Sequence, residues 1–170
     1  MRAAAAERLD AGLSALRAQA RAASEAVFAG WPAWIRADAA FAPDAGPVLD
    51  LLEAALQSAS AVSPAAAAEA ALGAAVEAVT GHVLGLLGDT SDISVAGGDA
   101  VGTVVRQIEE LAPCPELGEV RDLMEGNLAS VEERWAGGGW RIDRGIVVGI
   151  VRASFEETEK RERVVSMIQK

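Results

Sequence analysis

Apart from its 25 carboxylates, this sequence has few side chains that could carry acid–base, nucleophilic or metal chemistry. It has one histidine, His82, and one cysteine, Cys114. Zinc sites draw several Cys or His ligands, and di-iron bundles need two Glu-x-x-His elements, whereas Val79 stands three residues before His82. We therefore predict no metal site and no cofactor. We interpret His82 as a core histidine whose ring nitrogens are satisfied by hydrogen bonds.

Cys114 lies between two prolines at a predicted helix N-terminus, where the helix dipole would lower the pKa of a thiol. With His82 it could form a nucleophilic dyad, but nothing in the spacing brings the two residues together. We interpret Cys114 as a buried or capping thiol. The sequence also lacks a phosphate-binding glycine loop and a Gly-x-Ser-x-Gly elbow. We assign no catalytic residue and predict that the protein is not an enzyme.

Four tryptophans form two pairs beside chain-breaking residues. Trp31 and Trp34 flank a proline, and Trp135 and Trp140 flank a triple glycine. In one interpretation the indoles cover the ends of a core built from small residues. In the other, one pair is an exposed anchor for a partner, since Trp is enriched in binding hot spots. All four are candidate partner-binding residues.

The first predicted element of the fold is a long amphipathic helix. Apolar residues recur along one face at alternating steps of four and three, namely Leu9, Leu13, Leu16, Ala20, Ala23 and Val27. We predict a long helix over residues 1–29 that docks through this stripe, either on its own domain or on a second copy. Leu9, Leu13 and Leu16 join the tryptophans as partner-binding candidates.

Five further helices are predicted after this first one. Residues 30–47, rich in proline and tryptophan, form an ordered connector, and residues 48–170 form the helical core. Residues 89–98 are turn-forming and are predicted to be the longest flexible loop. The predicted helix starts are Val48, the cap and first-turn pair Ser63-Pro64, the cap Asp99, Pro115 and a point near Ile142.

The last 31 residues carry conflicting patterns. The run Ile146–Val151 is β-branched apart from one glycine, which favours a strand. Acid-before-base pairs at i,i+4 spacing from Glu156 onward favour a helix. We predict one helix over residues 142–168, with a short β-hairpin at 139–151 as the alternative. Small residues on the third and last helices predict that these two pack closely as a central pair, namely Gly81, Gly85, Gly145, Gly149 and Ala153.

Length and composition bound the fold and the compartment. The 170 residues, 51% of them hydrophobic and 37 of them alanine, can build one core. We predict an all-α, single-domain bundle of about six helices spanning residues 1–170.

No signal-peptide pattern follows Met1, the longest weakly polar run carries Glu77, and the one cysteine cannot form an internal disulfide. We expect a cytoplasmic protein without a membrane span, and its alanine content and its use of arginine rather than lysine indicate a GC-rich bacterial genome.

Charge is distributed unevenly along the chain. Residues 1–36 carry five Arg and three acids, residues 37–135 carry three Arg and 17 acids, and residues 136–170 carry seven bases and five acids. The net charge of −10 argues against direct nucleic-acid binding. In one interpretation the acidic middle only keeps the fold soluble; in the other two it pairs with the basic ends or docks on a basic partner.

These features together predict a non-enzymatic helical interaction module, or a subunit of a larger bacterial assembly, whose partner is another protein or a second copy. Two alternatives stay open. One is an acidic decoy or inhibitor that docks on a basic nucleic-acid-binding protein. The other is an enzyme whose site is built from loops, with Asp89, Asp92 and Cys114 as candidates.

Overall fold

The computed structural model describes residues 2–38, 42–62 and 65–170, and of residues 2–6, 58–62 and 65–68 it describes the backbone alone. This part of the chain forms nine α-helices and no β-strand, which confirms the all-α prediction. In chain order they are α1 (Arg2–Val27), α2 (Trp31–Trp34), α3 (Gly46–Val62), α4 (Ala65–Gly88), α5 (Val95–Leu111), α6 (Pro115–Glu125), α7 (Leu128–Ala136), α8 (Arg144–Ser154) and α9 (Glu159–Ile168).

The described residues contain nine helices where about six were predicted, because two predicted helices are divided and the connector contains one. α2 is a single turn in the connector. α6 and α7 divide the helix predicted to start at Pro115. The division falls at Asn127, whose side chain accepts the N–H groups of Ala129 and Ser130 at 2.9 and 3.1 Å. The predicted start at Ser63-Pro64 lies outside the described residues.

The single helix predicted over residues 142–168 is wrong, because a cap in its middle starts a new helix. Thr158 Oγ1 accepts the N–H of Arg161 at 3.1 Å and begins α9, although Glu157 and Arg161 still pair at 3.9 Å. The alternative hairpin at 139–151 is also wrong, since that fully described segment leads into α8. Asp143 begins α8 by accepting the N–H of Gly145 at 2.7 Å.

Helix α5 begins before Asp99, which is therefore not its cap. Ser94 is the cap, and its Oγ accepts the N–H of Gly97 at 2.9 Å. The loop predicted over residues 89–98 is shorter by four residues. Gly97 is buried against the connector, where a Cβ atom would lie 2.2 Å from the carbonyl oxygen of Ile35. This close backbone approach requires glycine.

The helices pack around one continuous cluster of buried apolar side chains. α4 packs most extensively against α1 and α3, and it also contacts α8. α1 and α4 run parallel, because Arg17 contacts Glu77 while Ser24 contacts His82 further along both helices. α5 packs on α6, and α9 packs on α7 and α8.

The predicted close packing of α4 on the last predicted helix through small residues is wrong. α4 does contact α8, but Gly81 and Gly85 are exposed on α4. No atom lies within 4 Å of a Cβ built at Gly81, Gly85 or Gly149. The glycines of α4 therefore face away from their predicted partner, and they leave an open face on this helix.

Candidate functional site

His82 is half-buried rather than a core residue, and one of its two ring nitrogens has a hydrogen bond within the described residues. Its Nδ1 lies 2.8 Å from the buried hydroxyl of Ser24, and its ring meets the ring of Phe28 edge-on at 6.4 Å. Burial lowers the pKa of His82, against a smaller opposite effect of Glu25. The ring thus links α4 to α1. The described residues contain no group of three or more His, Cys, Asp or Glu side chains that could hold a metal ion.

Cys114 is buried between α4 and α6. Its Sγ lies 3.4 Å from the hydroxyl of Thr80. Burial raises the pKa of the Cys114 thiol, and the hydrogen bond from Thr80 only partly offsets this effect. The lowering expected from the helix dipole is therefore outweighed. Thr80 and His82 are two positions apart on α4 and point to different sides of it, so the structure does not bring Cys114 and His82 together.

Trp31 and Trp34 cover one end of the core. They are 3% and 6% exposed, and their ring centroids lie 5.0 Å apart in an edge-to-face arrangement. Phe28 packs on both rings, and Trp31 Nε1 donates a hydrogen bond to Thr90 Oγ1 at 2.8 Å. The surface of the chain thus presents neither ring as a partner anchor.

Trp135 and Trp140 are only half-buried, beside the triple glycine. The guanidinium of Arg134 lies 4.6 Å from the ring centroid of Trp140, and that of Arg144 lies 5.5 Å from the ring centroid of Trp135. Both distances are within the range of cation–π attraction. Trp and Arg are the residue types most enriched in binding hot spots. This pair therefore remains available to a partner.

A pocket of about 460 Å³ opens beside the triple glycine; we call it the triglycine pocket. It is lined by Glu119, Arg134, Gly137, Gly138, Gly139, Trp140 and Arg141. Gly138 and Gly139 have φ angles of +132° and +82°, a region that side chains with a Cβ atom rarely adopt. The shape of this pocket therefore depends on glycine at both positions.

Glu119 fixes the wall of the triglycine pocket. Its side chain is 5% exposed, and Oε1 accepts a hydrogen bond from Arg134 at 2.8 Å. Oε2 accepts the backbone N–H groups of Arg141 at 2.7 Å and Ile142 at 3.2 Å. One carboxylate thus holds α7 and the following loop onto α6. We did not predict this role, because these N–H donors lie 22 and 23 residues further along the chain and no local pattern marks them.

A second concave surface, of about 360 Å³, runs along α4; we call it the α4 groove. It is lined by Gly73, Val76, Glu77, Thr80, Gly81, Leu84 and Glu116. No atom lies within 4 Å of a Cβ built at Gly73 or Gly81. The backbone of α4 itself therefore forms part of the floor, and the side chains of Val76 and Leu84 are only half-buried.

α4 is very apolar for a helix with so open a face. Residues Glu69–Gly88 have a mean hydropathy of 1.6, and only a third of an 18-residue window is buried. By length and composition alone, this is the one helix among the described residues that could cross a membrane. Core helices of soluble proteins pass the same test, so the structure gives no clear membrane span. Globular proteins normally bury a helix that is apolar all round.

The predicted stripe of α1 is buried at one end and open at the other. Ala20 and Val27 are buried, Leu13 and Leu16 are half-buried, and Leu9 is 48% exposed. The C-terminal half of the stripe therefore docks on its own domain. The N-terminal half leaves Leu9 open to solvent.

The structure thus divides the predicted partner-binding residues into two groups. Trp31 and Trp34 lie in the core, whereas Trp140 lines the triglycine pocket and Trp135 is half-buried beside the triple glycine. The α4 groove, which we did not predict, adds an apolar surface on a helix that packs against α1. No protein-family model, curated protein or solved structure matches this chain.

Proposed function

We propose that this protein is a non-enzymatic interaction module that docks an amphipathic helix of another protein in the α4 groove. One observation carries the proposal: the apolar 18-residue window within Glu69–Gly88 is only one third fully buried, and Val76 and Leu84 are half-buried beside exposed glycines. Burying the remaining apolar surface favours association through the hydrophobic effect, against the cost of ordering the two partners. A partner would supply the cover that the chain itself does not.

The glycines favour a helix as the occupant. Gly81 and Gly85 are exposed and lie four residues apart on α4, with open space where a Cβ atom would stand, and Gly73 is exposed on the same face beyond Glu77. Small residues at such spacing let two helix backbones approach closely, so that apolar side chains of the second helix pack against the first. Val76 and Leu84 would then contact the occupant from the side.

The charges favour a partner with basic residues. The charged residues that line the groove are both acidic, Glu77 and Glu116. The sequence has no Lys or Arg between Arg36 and Arg106. Arg17 contacts Glu77 at 3.4 Å, but both side chains are largely exposed, so this pair is weak. A second copy that docked groove to groove would place these acids near the same acids. Lys or Arg beside the apolar stripe of a different protein would complement them.

Selection from a displayed library of amphipathic helical peptides tests the proposal on the full chain. We expect the enriched peptides to combine an apolar stripe with flanking Lys or Arg. Their binding should weaken as salt rises, because the charge attraction is screened. In backbone NMR spectra, bound peptide should shift the amide signals of α4 residues 73–84 and of Glu116.

Neutral phosphatidylcholine vesicles and a peptide with Glu in place of every flanking Lys serve as the controls. The proposal is wrong if no peptide is enriched, if the Glu peptide binds as tightly, or if the shifted signals lie away from the groove. Binding to the vesicles that shifts the same α4 signals would instead identify a lipid surface as the occupant and would also contradict the proposal.

A further inference from the structure

The triglycine pocket has features of a small-ligand site that are separate from the α4 groove. We propose that it binds a carboxylate group, held by the guanidinium of Arg141. The proposal does not depend on the helix-docking function. It rests on which polar groups around the pocket already have partners and which do not.

On the pocket wall, the carboxylate of Glu119 already accepts hydrogen bonds, whereas the guanidinium of Arg141 has no acceptor among the described residues. Glu119 accepts three hydrogen bonds, from Arg134 and from the backbone N–H groups of Arg141 and Ile142. Arg141 lines the pocket, and its exposed side chain has no ion pair or hydrogen bond within the part of the chain that the structure describes. A ligand that complements this pocket therefore brings an acceptor.

A second donor lies next to the pocket without an acceptor. Trp140 Nε1 is buried and has no hydrogen-bond partner among the described residues. An indole N–H can only donate, and a buried one usually has a partner. The ring lies beneath the guanidinium of Arg134. Trp140 lines the pocket, which makes the indole N–H signal a reporter of binding.

The charges around the pocket favour a singly charged anion. Arg134 is shared between Glu119 at 2.8 Å and Asp122 at 3.4 Å, so its charge is already compensated. Arg141 supplies one uncompensated positive charge beside Glu119. A monoanionic carboxylate matches that charge, and its planar shape matches the two parallel N–H donors of a guanidinium. A doubly charged phosphate would leave excess negative charge close to Glu119.

The pocket volume of about 460 Å³ exceeds what a carboxylate alone would fill. The glycine turn leaves room beside the Trp140 ring, which can pack against an apolar body. Two sources share this chemistry: a small organic acid and the C-terminus of a peptide. Both place a carboxylate on Arg141 and an organic group on the ring.

Titration of the full chain, followed by ¹⁵N–¹H NMR, tests the proposal. The ligands are acetate, trialanine with a free C-terminus, trialanine amide and inorganic phosphate. We expect acetate or free trialanine to shift the signals of Gly138, Gly139, Arg141 and the Trp140 indole, with saturation below about 10 mM. The amide should cause no saturable shift. A response to the free peptide but not to acetate would identify the peptide C-terminus as the source.

Two arginine variants separate a built site from general charge attraction. Arg141→Gln should weaken carboxylate binding at least about fivefold, because it removes the charged fork. Arg152→Gln changes an exposed arginine on α8 that does not line the pocket and should leave binding unchanged. The proposal is wrong if neither carboxylate causes saturable shifts at these signals, if phosphate or the amide binds as tightly, or if both variants weaken binding equally.

Discussion

Single polar side chains join the helices of this protein at three places in or beside the core. Ser24 contacts His82 between α1 and α4, Thr80 contacts Cys114 between α4 and α6, and Glu119 holds the loop before α8. Removing one partner of such a contact leaves the other buried without a hydrogen bond, which costs more than the bond itself contributes. His82 and Cys114, the two residues considered for a nucleophilic dyad, thus each contact a different polar side chain.

The state of the thiol gives a first prediction. Burial raises the pKa of Cys114, so less thiolate is present at pH 8 than for an ordinary cysteine. We expect iodoacetamide to modify the folded protein at least about tenfold more slowly than the urea-unfolded protein, as measured by mass spectrometry. Cys114→Ser should change the free energy of unfolding by less than about 1.5 kcal/mol. Equal labelling rates would show that the thiol is accessible.

The hydrogen bonds of Glu119 give a second prediction. Glu119→Ala should lower the free energy of unfolding by about 2–4 kcal/mol, because Arg134 and two backbone N–H groups lose their acceptor. Hydrogen exchange at Arg141 and Ile142 should accelerate. Glu133→Ala, which changes an exposed acid on α7, should cost less than about 0.5 kcal/mol in the same urea titration. Similar costs for the two variants would contradict the anchoring role.

Among the elements, α1 and α4 differ in how the chain covers them. α1 buries the C-terminal half of its stripe against α4 and α3 and leaves Leu9 in solvent. α4 packs against α1, α3 and α8 but keeps an open, glycine-containing face. The two helices run parallel, so the open end of the α1 stripe lies toward the start of α4.

The graded stripe predicts graded stability along α1. Val27→Ala should lower the free energy of unfolding by about 1–3 kcal/mol, since Val27 is 5% exposed. Leu9→Ala should cost less than about 0.5 kcal/mol, since half of that side chain is already hydrated. Hydrogen exchange should protect amides near Val27 more than those near Leu9. Equal costs and equal protection would mean that the whole stripe is covered.

The acidic charge of the whole chain disfavours a dimer in which two copies pack groove to groove. The chain carries a net charge of −10, and both acids of the α4 groove have the same sign. We expect light scattering during size-exclusion chromatography to give the monomer mass of 17.5 kDa at micromolar concentration and physiological salt. A dimer that dissociates on Gly81→Leu would show self-association through the groove and would contradict a separate partner.

Much of the fold follows from local sequence, whereas the two sites do not. Periodicity and breakers predict where α1 and α4 lie, because Gly88 and the residues from Gly30 onward stop a helix through their own backbone preferences. Ser94 and Asp99 are both good caps, and the contact of Ser94 with Ile35, 59 residues away, favours Ser94. Which tryptophan pair is buried also depends on distant partners.

Gly81→Ala should change the stability of the chain and its affinity for a helix in opposite directions. Ala at Gly81 adds a favourable helix residue in open space, so Gly81→Ala should raise the free energy of unfolding by about 0.5–1 kcal/mol. In the complex the added methyl would hold the partner backbone away. We therefore expect the dissociation constant for a library-selected basic helix to rise at least about tenfold.

Gly149→Ala is the matched control, because a Cβ there also meets no atom within 4 Å but lies on α8, outside the groove. It should stabilise the chain to a similar degree and leave the dissociation constant unchanged. Measuring that constant by calorimetry for the wild type and both variants is the decisive comparison. Helix docking in the α4 groove predicts weaker binding for Gly81→Ala alone. An unchanged constant for Gly81→Ala, in a chain that it stabilises, would contradict docking in this groove.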